Sequence, residues 1–552
     1  MRVTLAENGK TSYTILLKEN ADRVLRFAAK ELAAYLNKMT GACFPVLREG
    51  EEDSRETLLI LKAGRETDDQ LDSFALLPEG KSLILEGVNP RSTLFAVYDF
   101  LEFLGCSFVE PGVEEIPFFS RLETEFPKKR STAAFILRNI FREQIVPDRN
   151  ANYRGLEKGH HLPQIDFMAK RKLNHYDFYV DYCRYDLWEK HKGEVLDAML
   201  DRGMKLEVCH HSIGYFFPAD KAHDYGSYGD STYYATHPQW FRSSQARIEL
   251  PEVREIITER FLAYVRNNPE LKMIGVWPGD SAMPPPEEGL TVADGYLDFW
   301  NTIAARLEKE FPGKVLSIIA YLDLLEPPVL RKGAANTQIW FCPIRTNYHF
   351  AMEDHPDGRR FLRQLGEWVK RMPEGRLNVF DYFGWQPPFI PYAKNVGRTL
   401  RRYRELGAGG AYGWVGFTYN LMGEEYRWAK ELYAYTEQLW DPDADVEKLL
   451  EKWAHGVFGK AAGEKIAEFY RMVEEEHGKL VARMTPDAMK NWITLPLLHK
   501  MQALLAEART LAAGNSSALR RIDLLELVAL HAVTEKVIPE AGKSRQDPLD
   551  FL

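Results

Sequence analysis

The 552-residue chain lacks several features that would place it in a membrane, secreted or nucleic-acid-binding class. It has no run of about 18 consecutive apolar residues, the length that a membrane-spanning helix requires, and its N-terminus has no apolar signal core. Its five cysteines never form a CxxC pair, which argues against a disulfide framework and a structural zinc site. No basic block occurs, and 71 Lys and Arg against 80 Asp and Glu give a net charge of -9. We therefore expect a cytoplasmic protein that binds neither a membrane nor nucleic acid.

Apolar and aromatic residues are abundant, at 45% and 12% of the chain, so large cores can be buried. At roughly one domain per 100 to 200 residues, two to four domains are expected. Residues 13–111 alternate short strand-like runs with amphipathic helices, which indicates a small α/β domain over residues 1–128. After about residue 423 no strand signal remains, which predicts a helical C-terminal region over residues 423–552.

Between these two parts, residues 129–422 repeat a strand followed by a helix, as in βαβ units. Eight strand-like apolar runs can be counted: residues 135–141, 175–180, 205–209, 273–277, 315–321, 338–342, 377–382 and 411–417. Eight such units in roughly 290 residues match the size of a (β/α)8 TIM barrel. The predicted fold class is thus α/β, with a TIM barrel after a small α/β sandwich domain and before a helical region.

The residues that follow the eight predicted strands combine carboxylates with aromatic rings. In a barrel the catalytic groups come from these C-terminal strand ends. A pyranose ring offers an apolar C–H face for stacking and hydroxyls for hydrogen bonds, so the combination predicts a carbohydrate site. The longest interruption, residues 211–250, follows the third strand and is rich in Tyr, Ser, Asp and His. We expect this insertion to contribute a substrate-binding loop.

Three carboxylates are the candidate catalytic groups. Asp280 follows the fourth strand and is the predicted general acid, because a neighbouring tryptophan and three prolines could desolvate it and raise its pKa. Asp381 and Glu143 are the candidates for the opposing carboxylate that glycosidic hydrolysis usually needs. Each has a structural alternative, since Asp280 could cap a turn, Asp381 could hold an arginine, and Glu143 could pair with Arg142.

Eight further residues are predicted to bind the sugar: Arg142, His210, His211, Tyr321, Arg345, Tyr382, Trp385 and Trp414. Adjacent residues of a strand point to opposite faces, so at most one of His210 and His211 should face the site. No carboxylate or histidine accompanies this pair at ligand spacing, so we predict no metal and no cofactor. The two tryptophans could equally fill the rim of the core.

Four segments of the chain carry a resemblance: AAKELAAYLNKMTG at 28–41, STLFAVYDFLEFLGC at 92–106 with EPG at 110–112, FRE at 141–143, and FDY at 380–382. With them the chain resembles the domain-of-unknown-function family 4838, a group of bacterial glycoside-hydrolase-like proteins. The first two segments are similar to the N-terminal domain that precedes the barrel in family 20 β-hexosaminidases, family 67 α-glucuronidases and family 84 hexosaminidases. The resemblance covers about residues 10–480 and implies the same three-part plan.

The resemblance does not carry over a complete mechanism. Enzymes of families 20 and 84 use adjacent or nearly adjacent carboxylates after the fourth strand, whereas this chain has Gly279-Asp280-Ser281 there. This departure argues against substrate-assisted hexosaminidase chemistry. At the end of the fourth strand only Asp280 itself can be carried over from the resemblance. Five further residues fall on positions that look like family matches: Arg142, Glu143, His210, Asp381 and Tyr382.

The sequence therefore predicts a glycoside hydrolase of hexosaminidase-like architecture that works by carboxylic-acid general acid/base catalysis on an oligosaccharide or glycoside. One alternative is an α-glucuronidase-like hydrolase, because Arg142 and Arg345 could bind a uronate carboxylate bidentately. Another is a carbohydrate-binding protein without catalysis, and a third is a scaffold that uses its helical tail as an interface. The sugar, anomer, linkage and oligomeric state are left open.

Overall fold

The computed structural model describes residues 2–51, 57–65, 70–141, 158–179, 184–219, 233–242, 245–280, 289–382, 389–414, 429–481 and 492–537. These residues form an N-terminal α/β unit, an eight-stranded parallel barrel and a C-terminal group of helices, which confirms the predicted fold class. In the part of the chain that is described, no helix combines the length and the apolar character needed to cross a membrane.

The described part of the N-terminal unit contains ten strands, six of which form one mixed sheet with two helices packed on it. Its strands are β1 Arg2–Glu7, β2 Tyr13–Leu17, β3 Val46–Arg48, β4 Thr57–Ala63, β5 Ser73–Glu79, β6 Ser82–Gly87, β7 Ser107–Glu110, β8 Val113–Glu115, β9 Arg121–Glu125 and β10 Lys129–Thr132. The sheet order is β10-β5-β6-β4-β2-β3, while β1 pairs with β9 and β7 with β8. The strand β10 lies just beyond the predicted boundary at residue 128, and the domain boundaries themselves stay predictions.

Both helices of this unit, α1 Arg23–Thr40 and α2 Pro90–Phe103, begin after a residue whose side chain caps the helix. The Asp22 side chain accepts a hydrogen bond from the Leu25 backbone N–H, and Gly41 ends α1 with a φ of 70°. Asn89 caps α2 in the same manner. These side chains bond backbone groups that a helix terminus otherwise leaves without partners.

The barrel strands are β11 Leu137–Phe141, β12 His175–Tyr179, β13 Lys205–Cys209, β16 Met273–Gly275, β17 Val315–Ala320, β18 Thr337–Phe341, β19 Leu377–Asp381 and β20 Gly410–Trp414. Two short strands of the insertion, β14 Phe241–Arg242 and β15 Gln245–Ala246, form a separate hairpin. Each barrel strand runs parallel to the next, and β11 pairs with β20. Between β11 and β12, the Asn174 backbone N–H donates to the Arg138 carbonyl at 3.2 Å. The strands therefore enclose one interior.

The remaining helices are α3 Lys158–Lys170, α4 Asp186–His191, α5 Leu196–Asp201, α6 Ile213–Phe216, α7 Pro251–Asn267, α8 Val292–Glu310, α9 Pro356–Val369, α10 Tyr392–Leu406, α11 Ala429–Trp440, α12 Val446–Phe458, α13 Lys460–Val481, α14 Leu495–Leu511 and α15 Ser516–Val537. Helix α11 packs on β11 and β20, whereas α12 to α15 enclose a second apolar core. One continuous core joins the N-terminal unit to the barrel.

A buried ion cluster also joins the N-terminal unit to the barrel, at the end opposite the predicted site. Asp72, which is fully buried before β5, accepts hydrogen bonds from Arg91 at 3.0 Å and from Arg138 at 2.6 Å. The Asn174 amide donates to the same carboxylate at 2.8 Å. Burial alone would raise the pKa of Asp72, but the two guanidinium groups hold it well below its ordinary value.

Candidate active site

Asp280 lies at the C-terminal end of the barrel, beyond β16, where the sequence predicts the acid. Its side chain is 33% exposed, so it is partly buried but still accessible to solvent. Burial raises the pKa of Asp280 to about 6, although a hydrogen bond from Tyr321, which follows β17, lowers it. A carboxyl group with such a pKa is partly protonated near neutral pH, as proton donation requires.

His211 is the second polar contact of Asp280. Its Nε2 atom lies 3.0 Å from the Asp280 Oδ1 atom, and its Nδ1 atom bonds the Pro278 carbonyl oxygen. Burial lowers the pKa of His211 to about 4, so the imidazole is neutral near pH 7. The position predicted for the acid therefore has one carboxyl group between a neutral imidazole and a phenol.

Residues 210–213, which we call the strap, bond the end of β13 to the segment that carries Asp280. The Ser212 hydroxyl donates to the Gly275 carbonyl at 2.9 Å and accepts from the Trp277 backbone N–H at 3.2 Å. The Ile213 N–H donates to the Trp277 carbonyl at 3.0 Å. Together with the bond from His211 to Pro278, these contacts fix the backbone just before Asp280.

The backbone at His210 is strained. Its φ of 152° lies in the region that favours glycine, and such a residue costs on the order of 1–3 kcal/mol. The prediction that only one of His210 and His211 faces the site assumed regular strand geometry. The positive φ interrupts that alternation, and the two rings lie with their centroids 4.5 Å apart. Both rings are buried, at 5% and 6% exposure.

The described parts of the predicted insertion lie against the same segment. The Gln245 side-chain amide of β15 donates to the Gly279 carbonyl at 3.3 Å. Aromatic rings pack on each other within these described parts: Phe217 stacks on Tyr233 with ring centroids 4.9 Å apart, and His237 stacks on Trp240 with centroids 3.9 Å apart. The insertion thus adjoins Asp280, as expected for a loop that follows the third strand.

Three predicted sugar-binding residues other than the histidines and Tyr321 can be placed. Tyr382 follows β19 and Trp414 is the last residue of β20. Their ring centroids lie 5.8 Å apart. Both are largely buried, so they pack with the barrel core as well as with each other. Arg345 is exposed. Burial raises the pKa of the Tyr321 hydroxyl, and the positive charge of Arg345 opposes that shift. No acidic residue in the described ranges forms an ion pair with Arg345.

Asp381 ends β19, yet its carboxylate contacts the helices outside the barrel. It is fully buried, and it accepts hydrogen bonds from Tyr403 of α10 at 2.9 Å and from Tyr435 of α11 at 3.0 Å. Burial raises the pKa of Asp381 to about 7, and the surrounding tyrosine hydroxyls oppose the shift. The structure therefore does not bring Asp381 to Asp280, and this geometry disfavours it as the opposing carboxylate.

A comparison of the sequence with protein families identifies one match. The sequence profile described as domain of unknown function DUF4838 matches residues 114–471. The chain belongs to the DUF4838 family. No curated protein sequence matches the chain.

Solved structures similar to this DUF4838 protein are glycoside hydrolases. A GH138 enzyme targeting pectin rhamnogalacturonan II has a TM-score of 0.63 at 12% identity, over 94% of this chain and 86% of that one. A GH115 4-O-methyl-α-glucuronidase with specificity for decorated arabinogalactans has a TM-score of 0.62 at 12% identity, over 96% and 72%. The GH20 β-N-acetylhexosaminidase from Streptomyces coelicolor A3(2) has a TM-score of 0.52 at 12% identity, over 82% and 92%. These likenesses show a shared fold.

Three of the predicted site residues of this DUF4838 protein, Arg142, Glu143 and Trp385, lie outside the described residues. The role of Glu143 as the opposing carboxylate and those of Arg142 and Trp385 in sugar binding stay predictions. Within the described part of the chain, no group of three or more His, Cys, Asp or Glu residues is arranged to hold a metal ion.

A polar network that was not predicted from the sequence lies inside the barrel of the DUF4838 protein. Glu207 of β13 accepts a hydrogen bond from Trp340 of β18 at 3.1 Å and contacts His175 Nε2 at 2.9 Å. Asp177 of β12 accepts from Tyr412 of β20 at 3.0 Å. Because β13 and β18 are not sheet neighbours, and neither are β12 and β20, these bonds cross the interior. Burial, followed by the charge of Glu207, raises the pKa of Asp177 well above its ordinary value.

One signal in the sequence could have revealed this network. Asp177 and Glu207 are charged residues within runs that otherwise read as buried strands. A charge is rarely buried without partners, so such a position predicts polar neighbours across the barrel.

Proposed function

We propose that this DUF4838 protein is a glycoside hydrolase in which Asp280 is the general acid. The observation that carries the proposal is a partly buried carboxyl group at the C-terminal mouth of a TIM barrel, with a pKa of about 6 and contacts to His211 and Tyr321. A general acid must hold its proton at the working pH and still reach the leaving oxygen. The similar GH138, GH115 and GH20 enzymes support the proposal, since they are glycosidases built on this fold.

In the proposed reaction, Asp280 protonates the glycosidic oxygen as the bond to the anomeric carbon breaks. A second group on the other face of the sugar must stabilise the resulting positive charge or activate water. Asp381 is enclosed by tyrosine hydroxyls, so Glu143 is the carboxylate that we propose for this role. His210, Tyr382 and Trp414 would contact the sugar.

A uronic acid is the second candidate substrate, and the observation that favours it is Arg345. This exposed guanidinium group lies near Tyr321, and no described carboxylate neutralises it. Guanidinium binds a carboxylate with two parallel hydrogen bonds. The similar GH115 enzyme is a 4-O-methyl-α-glucuronidase, which supports the same class. We propose Arg345 as the residue that would recognise the uronate.

The test is a screen of 4-nitrophenyl glycosides, including N-acetylhexosaminides and uronides of both anomers. Wild-type protein is compared with Asp280→Asn and with the control Asp298→Asn, which alters a half-exposed aspartate of helix α8 that pairs with Arg254. We expect hydrolysis of at least one substrate class, with a loss of at least about 100-fold in Asp280→Asn and no change in the control. An unchanged rate in Asp280→Asn would remove the assignment of the acid.

A screen without hydrolysis would point to the non-catalytic alternative, in which the protein binds carbohydrate only. For the uronate, we expect Arg345→Ala to raise KM for uronides at least tenfold while leaving KM for neutral glycosides unchanged. An equal effect on both classes would contradict a role for Arg345 in carboxylate recognition.

A further inference from the structure

Two hydrogen bonds determine what the His211 ring can do for Asp280. A backbone carbonyl oxygen can only accept, so the Nδ1 atom that bonds the Pro278 carbonyl must carry a hydrogen. In a neutral ring the Nε2 atom then has a lone pair and no hydrogen. Nε2 lies 3.0 Å from the Asp280 Oδ1 atom. With a neutral ring this contact is a hydrogen bond only when the Asp280 carboxyl is protonated and donates to Nε2.

The surroundings favour the state in which Asp280 holds the shared proton. His211 is 6% exposed, and burial disfavours an imidazolium there. Burial likewise disfavours the ionised form of Asp280. Among the described residues, Tyr321 hydrogen-bonds Asp280 and the His210 ring lies against His211. Cys342 and Arg345 act on Tyr321.

Tyr321 acts on the same carboxyl group in the opposite sense. Its hydroxyl hydrogen-bonds Asp280, and this bond favours the ionised form. The Nε2 lone pair of His211 faces the carboxyl group and favours the protonated form. Asp280 therefore lies between His211, which accepts a hydrogen bond from its protonated form, and Tyr321, which donates a hydrogen bond to its ionised form.

We propose that His211 is a positioning residue that keeps Asp280 in its acid form, by accepting a hydrogen bond through a tautomer that the Pro278 carbonyl fixes. The inference rests on the proposed function and extends it. In the first step the O–H bond of Asp280 breaks, and its proton joins the leaving oxygen. The bond from that oxygen to the anomeric carbon also breaks, and its electron pair stays on the oxygen. The carboxylate left behind accepts from Tyr321, and His211 stays neutral.

The experiment compares two variants in which a ring of similar size replaces a polar one, His211→Phe and Tyr321→Phe. The alkaline limb of kcat/KM against pH reports ionisation of the free acid. We expect this limb to move down by about one pH unit in His211→Phe, which is about a tenfold lower rate at pH 7. In Tyr321→Phe we expect it to move up. If His211 were a cation paired with the carboxylate, its loss would move the limb up, and that result would overturn the proposal.

A direct titration separates this inference from the proposed function. Asp280 can be followed by 13C NMR of labelled aspartate carboxyl groups, with its signal assigned by its loss in Asp280→Asn. We expect its pKa to shift in opposite directions in the two Phe variants whether or not a substrate has been found. Opposite shifts without any glycosidase activity would retire the hydrolase proposal alone. If the pKa of Asp280 shifted in the same direction in both variants while activity was present, only the proposed role of His211 would be refuted.

A measurement on the wild type keeps the test independent of the folding of His211→Phe. The 15N chemical shifts of the His211 ring distinguish a neutral Nδ1–H tautomer from an imidazolium. We expect the neutral tautomer at pH 7, with the signal assigned by its change in Asp280→Asn. An imidazolium signal at pH 7 would refute the proposal.

Discussion

Replacing Asp72 by asparagine should weaken the buried ion cluster that joins the N-terminal unit to the barrel. Asp72 is fully buried, and its partners Arg91 and Arg138 have side chains that are 5% and 0% exposed. Asparagine keeps the shape of the side chain but removes its charge, so two guanidinium groups remain buried without a counter-ion. Breaking a buried pair in this manner costs about 3–5 kcal/mol. We expect a loss of that size in the free energy of unfolding.

The pH dependence of stability gives a second measure of the same variant. The pKa of Asp72 is well below its ordinary value in the folded protein, whereas in the unfolded chain it is about 3.9. The unfolded state therefore binds this proton first as the pH falls. The stabilisation is complete above about pH 4 and is lost as the pH falls towards the folded value. Asp72→Asn should lack this contribution.

Urea unfolding followed by tryptophan fluorescence at pH 7 measures the free energy, and Asp443→Asn supplies the control. Arg401 bonds Asp443 at 2.6 Å, the same distance as the bond from Arg138 to Asp72, but the Asp443 side chain is 63% exposed. An exposed pair of this kind is worth about 0–1 kcal/mol. Equal costs for the two substitutions would refute the argument that burial makes the Asp72 cluster strong.

Three further substitutions test the barrel, and a fourth, Gly295→Ala, is the control for one of them. Asp381 has a pKa of about 7 when folded and about 3.9 when unfolded, so the folded state binds more protons between these values and the protein should gain stability as the pH falls from 8 to 5. Asp381→Asn should remove most of that slope in urea unfolding. Ser212→Ala leaves the Gly275 carbonyl and the Trp277 N–H without this partner, and should cost about 1–3 kcal/mol. Gly275→Ala brings a Cβ within 2.9 Å of Cys209, and should lower the melting temperature, as overpacking costs about 1–3 kcal/mol, whereas Gly295→Ala in helix α8 has open space and should raise it.

The barrel could be predicted because each strand is an apolar run bounded by turn residues. Lys205–Cys209 has the predicted bounds, and the other described strands differ from prediction by a few residues at their ends. The fourth strand ends at Gly275 although the apolar run continues to Trp277. The reason is that the Trp277 N–H bonds the Ser212 hydroxyl rather than a neighbouring strand. A side chain more than 60 positions away therefore ends this strand, and a local pattern does not contain that information.

The site could be predicted in part. The position of Asp280 beyond a strand end agrees with the sequence, whereas its role as the acid stays a prediction. Asp381 gave the same signal, but its carboxylate contacts Tyr403 and Tyr435 of the helical layer. Alternate residues of a strand face opposite sides, and the ring of Phe380 packs on Tyr412 on the other face. Counting alternate positions along β19 would have indicated that Asp381 and Phe380 face opposite sides, whereas the type of residue at the strand end did not.

The strap has a consequence for how members of the family can diverge. Residues 210–213 bond the backbone at residues 275–278. We therefore expect the starts of the loops after the third and fourth strands to keep a fixed position relative to each other. We expect the long insertion after the third strand to be able to change in length and composition while Asp280 keeps its position, provided that the strap is inherited intact. A chimaera that takes the loop after the third strand from a relative should therefore also take the loop after the fourth strand, so that the bonds between them are kept.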